Sequence, residues 1–327
     1  MIGGAGFMGS AVVERLAERG HEVLVYDALS YAGRLENIAH VLDRVEFVKG
    51  DVRDRALLER TIDRFRPEVV VNLAAQTHVD RSIVDPRPFI DVNVYGVYTV
   101  LEVLKERRIL YVHISTDEVY GDLWGGGYAT EESCLRPSNP YSATKASGDM
   151  LILAYGRTYR LPYIILRPCN NYGPRQHPEK LIPRTIIRLL LGLPAVIYGD
   201  GRQVRDWLYV YDFAEAVETV LEKGEEGSIY NICAENYAEV REIVERIVRL
   251  LGRDPAEWIR YAPERPGEDR RYAMRCERLK SLGWRPRTSL DEGLRATIEW
   301  YRSNRWWWEP ILRQPDAERF VLSETPW

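Results

Sequence analysis

Tyr141 and Lys145 are separated by four positions in the segment NPYSATKAS, and Pro140 stands directly before the tyrosine. Proline is favoured in the first turn of a helix, and residues at positions i and i+4 share a helix face. On such a face a lysine ammonium lowers the pKa of a nearby phenol, because it favours the ionised form. The pair therefore predicts a tyrosine that takes up a proton near neutral pH. By itself, the same spacing is also common on solvated helix faces.

Two adjacent carboxylates follow an apolar segment. The sequence ILYVHIS runs from Ile109 to Ser115 like a buried strand, and Thr116, Asp117 and Glu118 come directly after it. Polar residues commonly bound strands, so an ordinary turn is an equal alternative for this stretch alone. Two acids whose surroundings separate their pKa values supply a general acid and a general base, and the threonine hydroxyl suits a hydrogen bond to the tyrosine.

A glycine-rich segment opens the chain. Gly3, Gly6 and Gly9 in GGAGFMG lead into the helical pattern FMGSAVVERLAERG. Glycines let a backbone approach a pyrophosphate, and a helix N-terminus offers oriented N–H groups. Asp27, 18 residues after Gly9, and Asp51 close the next two predicted strands, where carboxylates contact the adenosine part of a dinucleotide. An acid rather than an arginine at position 27 favours NAD over NADP.

Short apolar segments alternate with helical patterns through the first half of the chain. Strands are predicted at 22–27, 45–51, 69–75, 109–116 and 163–170. Continuous apolar strands separated by helices are typical of a parallel sheet covered on both faces. We therefore predict an α/β fold with a doubly wound parallel (Rossmann) sheet over residues 1–168. Residues 169–327 are predicted to form mainly a smaller substrate-binding region, with a return to the sheet around 204–233.

The first strand of such a sheet is missing from the sequence. Only Met1 and Ile2 precede Gly3, whereas a strand normally leads into the glycine loop. That strand is central, so without it the backbone groups of two neighbouring strands would be unpaired in the core. We predict that the sequence begins inside the natural protein.

Composition argues against several classes of protein. With 327 residues, 45% hydrophobic, 29% charged and a net charge of -4, the chain has an ordinary globular composition that disfavours a general nucleic-acid binder. No apolar run approaches the roughly 20 residues that span a bilayer, and no signal peptide opens the sequence, so we expect a cytoplasmic protein. Cys134, Cys169, Cys233 and Cys276 lack metal-ligand spacing. We expect reduced thiols and no metal.

These motifs resemble those of the extended short-chain dehydrogenases/reductases, and within that superfamily most of all the dTDP-glucose 4,6-dehydratases. The motifs that carry the resemblance are GGAGFMGS, YDALSYAG, LAAQTHVDRS, ISTDEVYGD, NPYSATKAS, RPCNNYGPRQHPEKLIP, YGDGRQVRDWLYVYD and RPGEDRRYAM. They extend over nearly the whole chain, and the Thr-Asp-Glu run is specific to nucleotide-sugar dehydratases.

The resemblance implies a chemical role for each reactive residue. In the family's reaction, Tyr141, assisted by Lys145 and Thr116, takes the proton of the sugar 4-hydroxyl while NAD accepts the C4 hydride. Glu118 then removes the C5 proton, Asp117 protonates the departing C6 hydroxyl, and the hydride returns to C6. Simple epimerases of the same fold need no such acids, so the pair favours dehydration.

The resemblance also implies which residues bind the two ligands. The cofactor contacts are Gly3, Gly6, Phe7, Met8, Gly9, Asp27, Ala28, Leu29, Ser30, Asp51, Val52, Leu73, Ala74, Ala75, Gln76, Thr77, Tyr141, Lys145 and Asn171. The nucleotide-sugar contacts are Thr77, Thr116, Asn170, Lys180, Leu181, Val196, Ile197, Tyr198, Arg205, Asp269, Arg270, Arg271, Tyr272 and Ala273. Arg205 with Arg270 or Arg271 suits a diphosphate, because a guanidinium offers fixed paired donors.

Two other functions remain open. The nearer is another nucleotide-sugar enzyme, such as a UDP-sugar dehydratase, decarboxylase or epimerase. Val240, where the family often has a nucleotide-contacting asparagine, leaves the choice between thymidine and uridine open. The other is a non-catalytic dinucleotide-binding sensor, which would have no reason to retain Tyr141, Lys145, Asp117 and Glu118 together. The resemblance further implies a homodimer built through helices next to the Tyr141 helix.

Overall fold

The chain forms one large parallel sheet and a smaller β-rich region. The computed structural model describes residues 1–315 and 317–324. The strands are β1 (Val23–Asp27), β2 (Val45–Lys49), β3 (Val69–Asn72), β4 (Leu110–Ile114), β5 (Tyr163–Pro168), β6 (Asn170–Tyr172), β7 (Ala195–Tyr198), β8 (Val204–Tyr209), β9 (Ser228–Ile232), β10 (Tyr237–Glu239) and β11 (Ile259–Ala262). The large sheet has the order β2-β1 followed by β3-β4-β5-β9, and these strand pairs are all parallel. The predicted parallel sheet is confirmed, and β9 is the strand that returns to it.

Helices cover both faces of the large sheet. They are α1 (Phe7–Glu18), α2 (Arg55–Phe65), α3 (Val79–Val84), α4 (Arg87–Phe89), α5 (Val97–Leu104), α6 (Pro140–Tyr159), α7 (Leu181–Leu190), α8 (Val210–Lys223), α9 (Val240–Leu250), α10 (Pro255–Trp258), α11 (Glu277–Ser281), α12 (Leu290–Ser303) and α13 (Arg305–Trp308). The apolar sides of α1 and α8 pack together on one face, and those of α2, α5 and α6 pack on the other. Within the described ranges, every helix is too short or too polar to span a lipid bilayer.

A two-residue bridge joins the two parts of the large sheet. Ile2 pairs in parallel with Tyr26 of β1 on one side and with Asn72 of β3 on the other. The α-amino group of Met1 donates to the Leu24 carbonyl oxygen at 2.8 Å, and burial lowers the pKa of this amino group to about 5. A cleft of about 550 Å³, lined by residues of β1, β3 and α2, lies beside it. The place of the expected first strand is held by Met1 and Ile2, and the prediction that the sequence begins inside the natural protein stays a prediction.

The C-terminal half builds its own apolar core. Strand β8 pairs in parallel with β6 and antiparallel with β10, and β7 pairs in parallel with β11. Helices α7, α9 and α12 bury their apolar faces in this core together with Trp307 and Trp308. The boundary between the two regions at residue 168 stays a prediction.

Two of the four cysteines form a disulfide, which corrects the expectation of reduced thiols. Cys233 at the end of β9 is bonded to Cys276 just before α11, with their Cα atoms 5.8 Å apart. Cys134 and Cys169 are free. The bonded pair is separated by 43 positions in the sequence, so only the packing of the chain before α11 against the end of β9 brings the two sulfurs together.

Candidate active site

Helix α6 carries Tyr141 and Lys145. Its start is capped by Asn139, whose side-chain oxygen accepts a hydrogen bond from the Ser142 backbone N–H at 2.9 Å, while the Asn139 N–H donates to the Ser142 hydroxyl at 3.2 Å. Pro140 occupies the first turn, where its fixed φ suits a helix start. Tyr141 is 7% exposed and Lys145 is 3% exposed, so neither belongs to a solvated face. The predicted start of this helix is confirmed.

The ammonium group of Lys145 is held from the side of the sheet. Its Nζ atom donates to the Ile114 carbonyl oxygen at 2.6 Å and lies 3.4 Å from Nε2 of His113. Burial lowers the pKa of Lys145 to about 8, and the charge of Asp149 opposes this shift. Lys145 therefore releases its proton more readily than an exposed lysine does.

The phenol of Tyr141 lies among the predicted reactive groups. Burial and the charge of Glu118 raise its pKa well above the usual range, whereas a hydrogen bond with the Thr116 hydroxyl acts in the opposite direction. The expectation that Lys145 lowers the pKa of this phenol stays a prediction. The ammonium of Lys145 is engaged by the carbonyl oxygen of Ile114.

The two acids belong to a short 3-10 helix, Asp117–Tyr120, that follows β4. Thr116 caps this helix in an extended conformation, and its hydroxyl donates to Oδ1 of Asp117 at 3.2 Å. Asp117 is 4% exposed. Oε2 of Glu118 lies 3.5 Å from Nδ2 of Asn139 and 3.4 Å from the Tyr272 hydroxyl. The strand therefore ends in an enclosed polar site and not in a turn open to water.

The charges around the two acids differ. Burial raises the pKa of Asp117 well above its usual value, and the adjacent charge of Glu118 adds to this shift. Burial also raises the pKa of Glu118, but the charges of Arg265, Arg205 and Lys180 oppose that shift. Asp117 therefore favours its protonated form, and Glu118 is the acid that ionises more readily. This difference suits one general acid and one general base.

A cavity of about 180 Å³ opens beside Glu118. The predicted site residues that line it are Thr77, Glu118, Asn170, Lys180, Leu181, Tyr198, Arg205 and Tyr272. Val240, at the position where the family often has a nucleotide-contacting asparagine, also lines it. Residues that the sequence did not single out for binding complete the lining, namely His78, Val79, Asp80, Glu179, Arg184, Gln203, Trp207, Arg265 and Glu268. The Lys180 ammonium donates to the Thr77 carbonyl oxygen at 2.7 Å, which ties the loop after β3 to the start of α7.

Other predicted substrate residues have partners away from this cavity. Arg270 pairs with Asp200 at 2.8 Å on the surface, and Arg271 donates to the Gly127 carbonyl oxygen at 2.7 Å. The arginine of the RPGEDRR segment that lines the cavity is Arg265. The motif contains three arginines, and its letters alone do not reveal which guanidinium points inward. The remaining predicted residues of this set, Val196, Ile197, Asp269 and Ala273, are buried.

The glycine loop forms a tight cradle at the start of α1. A Cβ atom on Gly3 would lie 2.5 Å from the backbone nitrogen of Ala74, and one on Gly9 would lie 2.2 Å from the Gly3 carbonyl oxygen. Only glycine allows so close an approach. Gly6 caps α1 without a side chain, which leaves the first N–H groups of the helix available to an anion.

The other predicted cofactor residues lie at the ends of neighbouring strands. Asp27 accepts hydrogen bonds from the backbone nitrogens of Ala5 at 2.9 Å and Leu29 at 2.8 Å, which shapes the turn after β1. After β2, Oδ2 of Asp51 accepts a hydrogen bond from Nη2 of Arg53 at 2.7 Å. Residues 73–77 follow β3, and the buried side-chain oxygen of Asn171 in β6 has no hydrogen-bond partner within the described ranges. The cradle, the two carboxylates and the unpartnered amide oxygen fit a dinucleotide.

This combination of sheet, cradle and tyrosine–lysine helix places the chain in a class, the extended short-chain dehydrogenases/reductases. The chain belongs to the family described as GDP-mannose 4,6 dehydratase, whose model matches residues 1–297.

Individual relatives agree with the motifs. A dTDP-glucose 4,6-dehydratase of Xanthomonas campestris pv. campestris is 42% identical over 333 residues, which cover 95% of this chain and 95% of the relative. The structure of a dTDP-glucose 4,6-dehydratase of Bacillus anthracis in complex with NAD matches with a TM-score of 0.88 and 43% identity, covering 95% of this chain and 98% of that one. A Thermus thermophilus UDP-glucose 4-epimerase in complex with NAD matches with a TM-score of 0.87 and 36% identity, covering 93% and 98%. The resemblance to dTDP-glucose 4,6-dehydratases is confirmed.

Proposed function

We propose that this protein is an NAD-dependent hydro-lyase that converts dTDP-glucose to dTDP-4-keto-6-deoxyglucose. The observation that carries the proposal is the acid pair, Asp117 and Glu118, beside the Tyr141 helix: Oε2 of Glu118 lies 3.5 Å from Nδ2 of Asn139, the residue that caps this helix. Removal of water needs an acid for the leaving hydroxyl and a base for the carbon-bound proton. The relatives named dTDP-glucose 4,6-dehydratase, at 42% and 43% identity, support the choice of substrate.

Three residues act on the sugar 4-hydroxyl. Tyr141 takes its proton, and the Thr116 hydroxyl is hydrogen-bonded to the phenol. Lys145, on the same helix as Tyr141, contributes a positive charge. Bound NAD supplies the hydride chemistry, oxidation at C4 and reduction at C6. The pKa of Tyr141 is raised, so its phenol becomes an effective base only when a positive charge nearby favours the ionised form.

Asp117 and Glu118 divide the elimination between them. The carboxylate of Glu118, favoured by the charges of Arg265, Arg205 and Lys180, takes the proton from C5 once C4 carries a carbonyl. Asp117, whose protonated form is favoured by burial, donates to the C6 hydroxyl as it leaves as water. The pair therefore accounts for one proton removed from C5 and one proton delivered to the leaving hydroxyl, and the protonated Glu118 returns a proton to C5 when C6 is reduced.

The cofactor and the nucleotide sugar bind in the two regions predicted from the sequence. The cradle at Gly3 and Gly9 and the helix start at Gly6 hold the pyrophosphate of NAD, and Asp27 contacts its ribose. The nucleotide sugar occupies the cavity beside Glu118, which is lined mainly by residues after 168.

The direct test is turnover on a panel of dTDP-glucose, UDP-glucose and GDP-mannose, with no cofactor added to the purified enzyme. We expect a 4-keto-6-deoxy product from dTDP-glucose, measured by mass spectrometry as loss of water. Product from UDP-glucose alone would show that the substrate is a UDP-sugar and would leave the proposed dehydration unchanged. The comparison is informative because Val240, where the family often has a nucleotide-contacting asparagine, lies in the cavity wall. Inversion at C4 without loss of water would show that the protein is an epimerase and not a dehydratase.

The proposal includes a homodimer. Ile90, Tyr95 and Tyr98, next to or within α5, and Met150 and Tyr159 on α6 are between 39% and 53% exposed. Helices α5 and α6 contact each other, and we infer that these exposed side chains belong to one surface. A second copy would bury it. Sedimentation equilibrium should give a dimer, and Tyr98→Asp should shift the protein to monomer.

We also propose that the protein acts in the cytoplasm. Cell fractionation tests this location. The disulfide between Cys233 and Cys276 adds a check, because cytosolic disulfides are rare outside hyperthermophiles. Thiol titration of protein trapped in intact cells will show whether the bond forms there.

A further inference from the structure

The carboxylate of Glu268 is shared by two arginines in the wall of the candidate substrate cavity. One oxygen, Oε1, accepts a hydrogen bond from Nη2 of Arg205 at 2.6 Å. The other, Oε2, accepts from Nε of Arg265 at 2.6 Å. The side chain of Glu268 is only 9% exposed and that of Arg205 only 6% exposed. Paired charges held this far from water interact strongly.

Both guanidinium groups face the same cavity as Glu118 and Lys180. Arg265 has a second carboxylate partner, Asp80, at 3.0 Å. Arg205 also donates to the Asp269 carbonyl oxygen at 2.8 Å, which is a neutral partner. Glu268 is therefore the charged group that the two arginines have in common.

We propose that Glu268 limits the affinity of this cavity for the diphosphate group of a nucleotide sugar, because it occupies the paired donors that the diphosphate would use. This inference rests on the proposed function, since it assigns the cavity to a nucleotide sugar. A diphosphate and a carboxylate both accept charge-assisted hydrogen bonds from arginine. The incoming anion must therefore displace Glu268 or tolerate its negative charge nearby. Glu268 acts on affinity and takes no part in proton transfer.

The test is Glu268→Gln, which keeps the shape and an acceptor oxygen but removes the charge. The binding of thymidine diphosphate, uridine diphosphate and inorganic pyrophosphate to the wild-type and variant holoenzymes is measured by calorimetry. We expect the variant to bind diphosphates about tenfold tighter or more, with affinity that falls more steeply as salt is added, because one competing charge is gone.

Asp200→Asn is the matched control, because Asp200 also pairs with an arginine, Arg270 at 2.8 Å, but at the surface. This variant should leave diphosphate affinity unchanged. Unchanged or weaker binding by Glu268→Gln, with a melting temperature equal to that of the wild type, would show that Glu268 only positions the arginines and would overturn the inference. Equal tightening for uridine diphosphate with no binding of thymidine diphosphate would keep the inference and refute the proposed substrate. No diphosphate binding by any protein would overturn both.

Discussion

The ammonium nitrogen of Lys145 lies 3.4 Å from Nε2 of the His113 ring. The other ring nitrogen, Nδ1, is 3.1 Å from the Tyr111 hydroxyl oxygen, which also accepts a hydrogen bond from Nδ2 of Asn72 at 2.9 Å. Burial and the charge of Lys145 lower the pKa of His113 well below its usual range, so the ring is neutral. A neutral ring accepts a hydrogen bond from the ammonium at Nε2. His113 thereby positions Lys145.

Replacing His113 with leucine is expected to lower kcat roughly 10-fold to 100-fold, since a hydrogen bond to a charged group contributes about 1.5–3 kcal/mol. His113→Gln retains an acceptor and should recover most of the activity. The measurement is kcat as a function of pH, where the leucine variant should show a displaced profile. A purely structural role would lower the melting temperature and leave the pH profile in place.

Glu118→Gln is expected to stop the reaction after oxidation at C4. Glutamine keeps the size of the side chain but cannot take the C5 proton, whereas Tyr141 and Lys145 are untouched. Mixing this variant with dTDP-glucose should produce the absorbance of reduced nicotinamide without release of product. Normal turnover would remove Glu118 from the mechanism, and an absence of reduced nicotinamide would show that the substitution also disturbs binding or oxidation.

Asp117→Asn is expected to stabilise the protein at neutral pH while it lowers turnover. Folding raises the pKa of Asp117 above its unfolded value of about 3.9. The folded state therefore binds more protons than the unfolded chain between these two pKa values. The contribution of Asp117 to stability is present below about pH 3.9 and is lost as the pH rises toward the folded pKa.

The measurement for this variant is the melting temperature from acid to neutral pH. Asp117→Asn should flatten the decline that the wild type shows as the pH rises. Glu106→Gln, at an exposed position, serves as the control and should follow the wild type. A decline that is identical in wild type and Asp117→Asn would assign the pH dependence to other buried acids.

Reduction of the disulfide between Cys233 and Cys276 is expected to destabilise the protein. The bond closes a loop across 43 positions, for which the chain-entropy model gives about 4 kcal/mol at 25 °C as an upper estimate. Urea unfolding with and without reductant measures the change, and Cys233→Ser should match the reduced wild type. Cys134→Ser, at an exposed free thiol, is the control. Equal stability with and without reductant would show that the bond adds nothing.

Features with a local physical cause could be predicted from the sequence. The apolar β-branched segments predicted the strands, because a strand that is covered on both faces consists of a nearly continuous run of apolar residues. Pro140 predicted the start of α6 because proline fits a first helical turn. The glycine spacing predicted the cradle, where close backbone contacts at Gly3 and Gly9 leave no room for a side chain.

Features that depend on distant partners were decided by tertiary contacts. The inward position of Arg265 in place of Arg270 or Arg271 follows from its ion pairs with Asp80 and Glu268. The disulfide needs the end of β9 and the segment before α11 to meet. The raised pKa of Tyr141 arises from burial and from the charge of Glu118, an acid on another element. Charge and solvent access are set by the whole surroundings of a group, and short-range sequence spacing does not contain them.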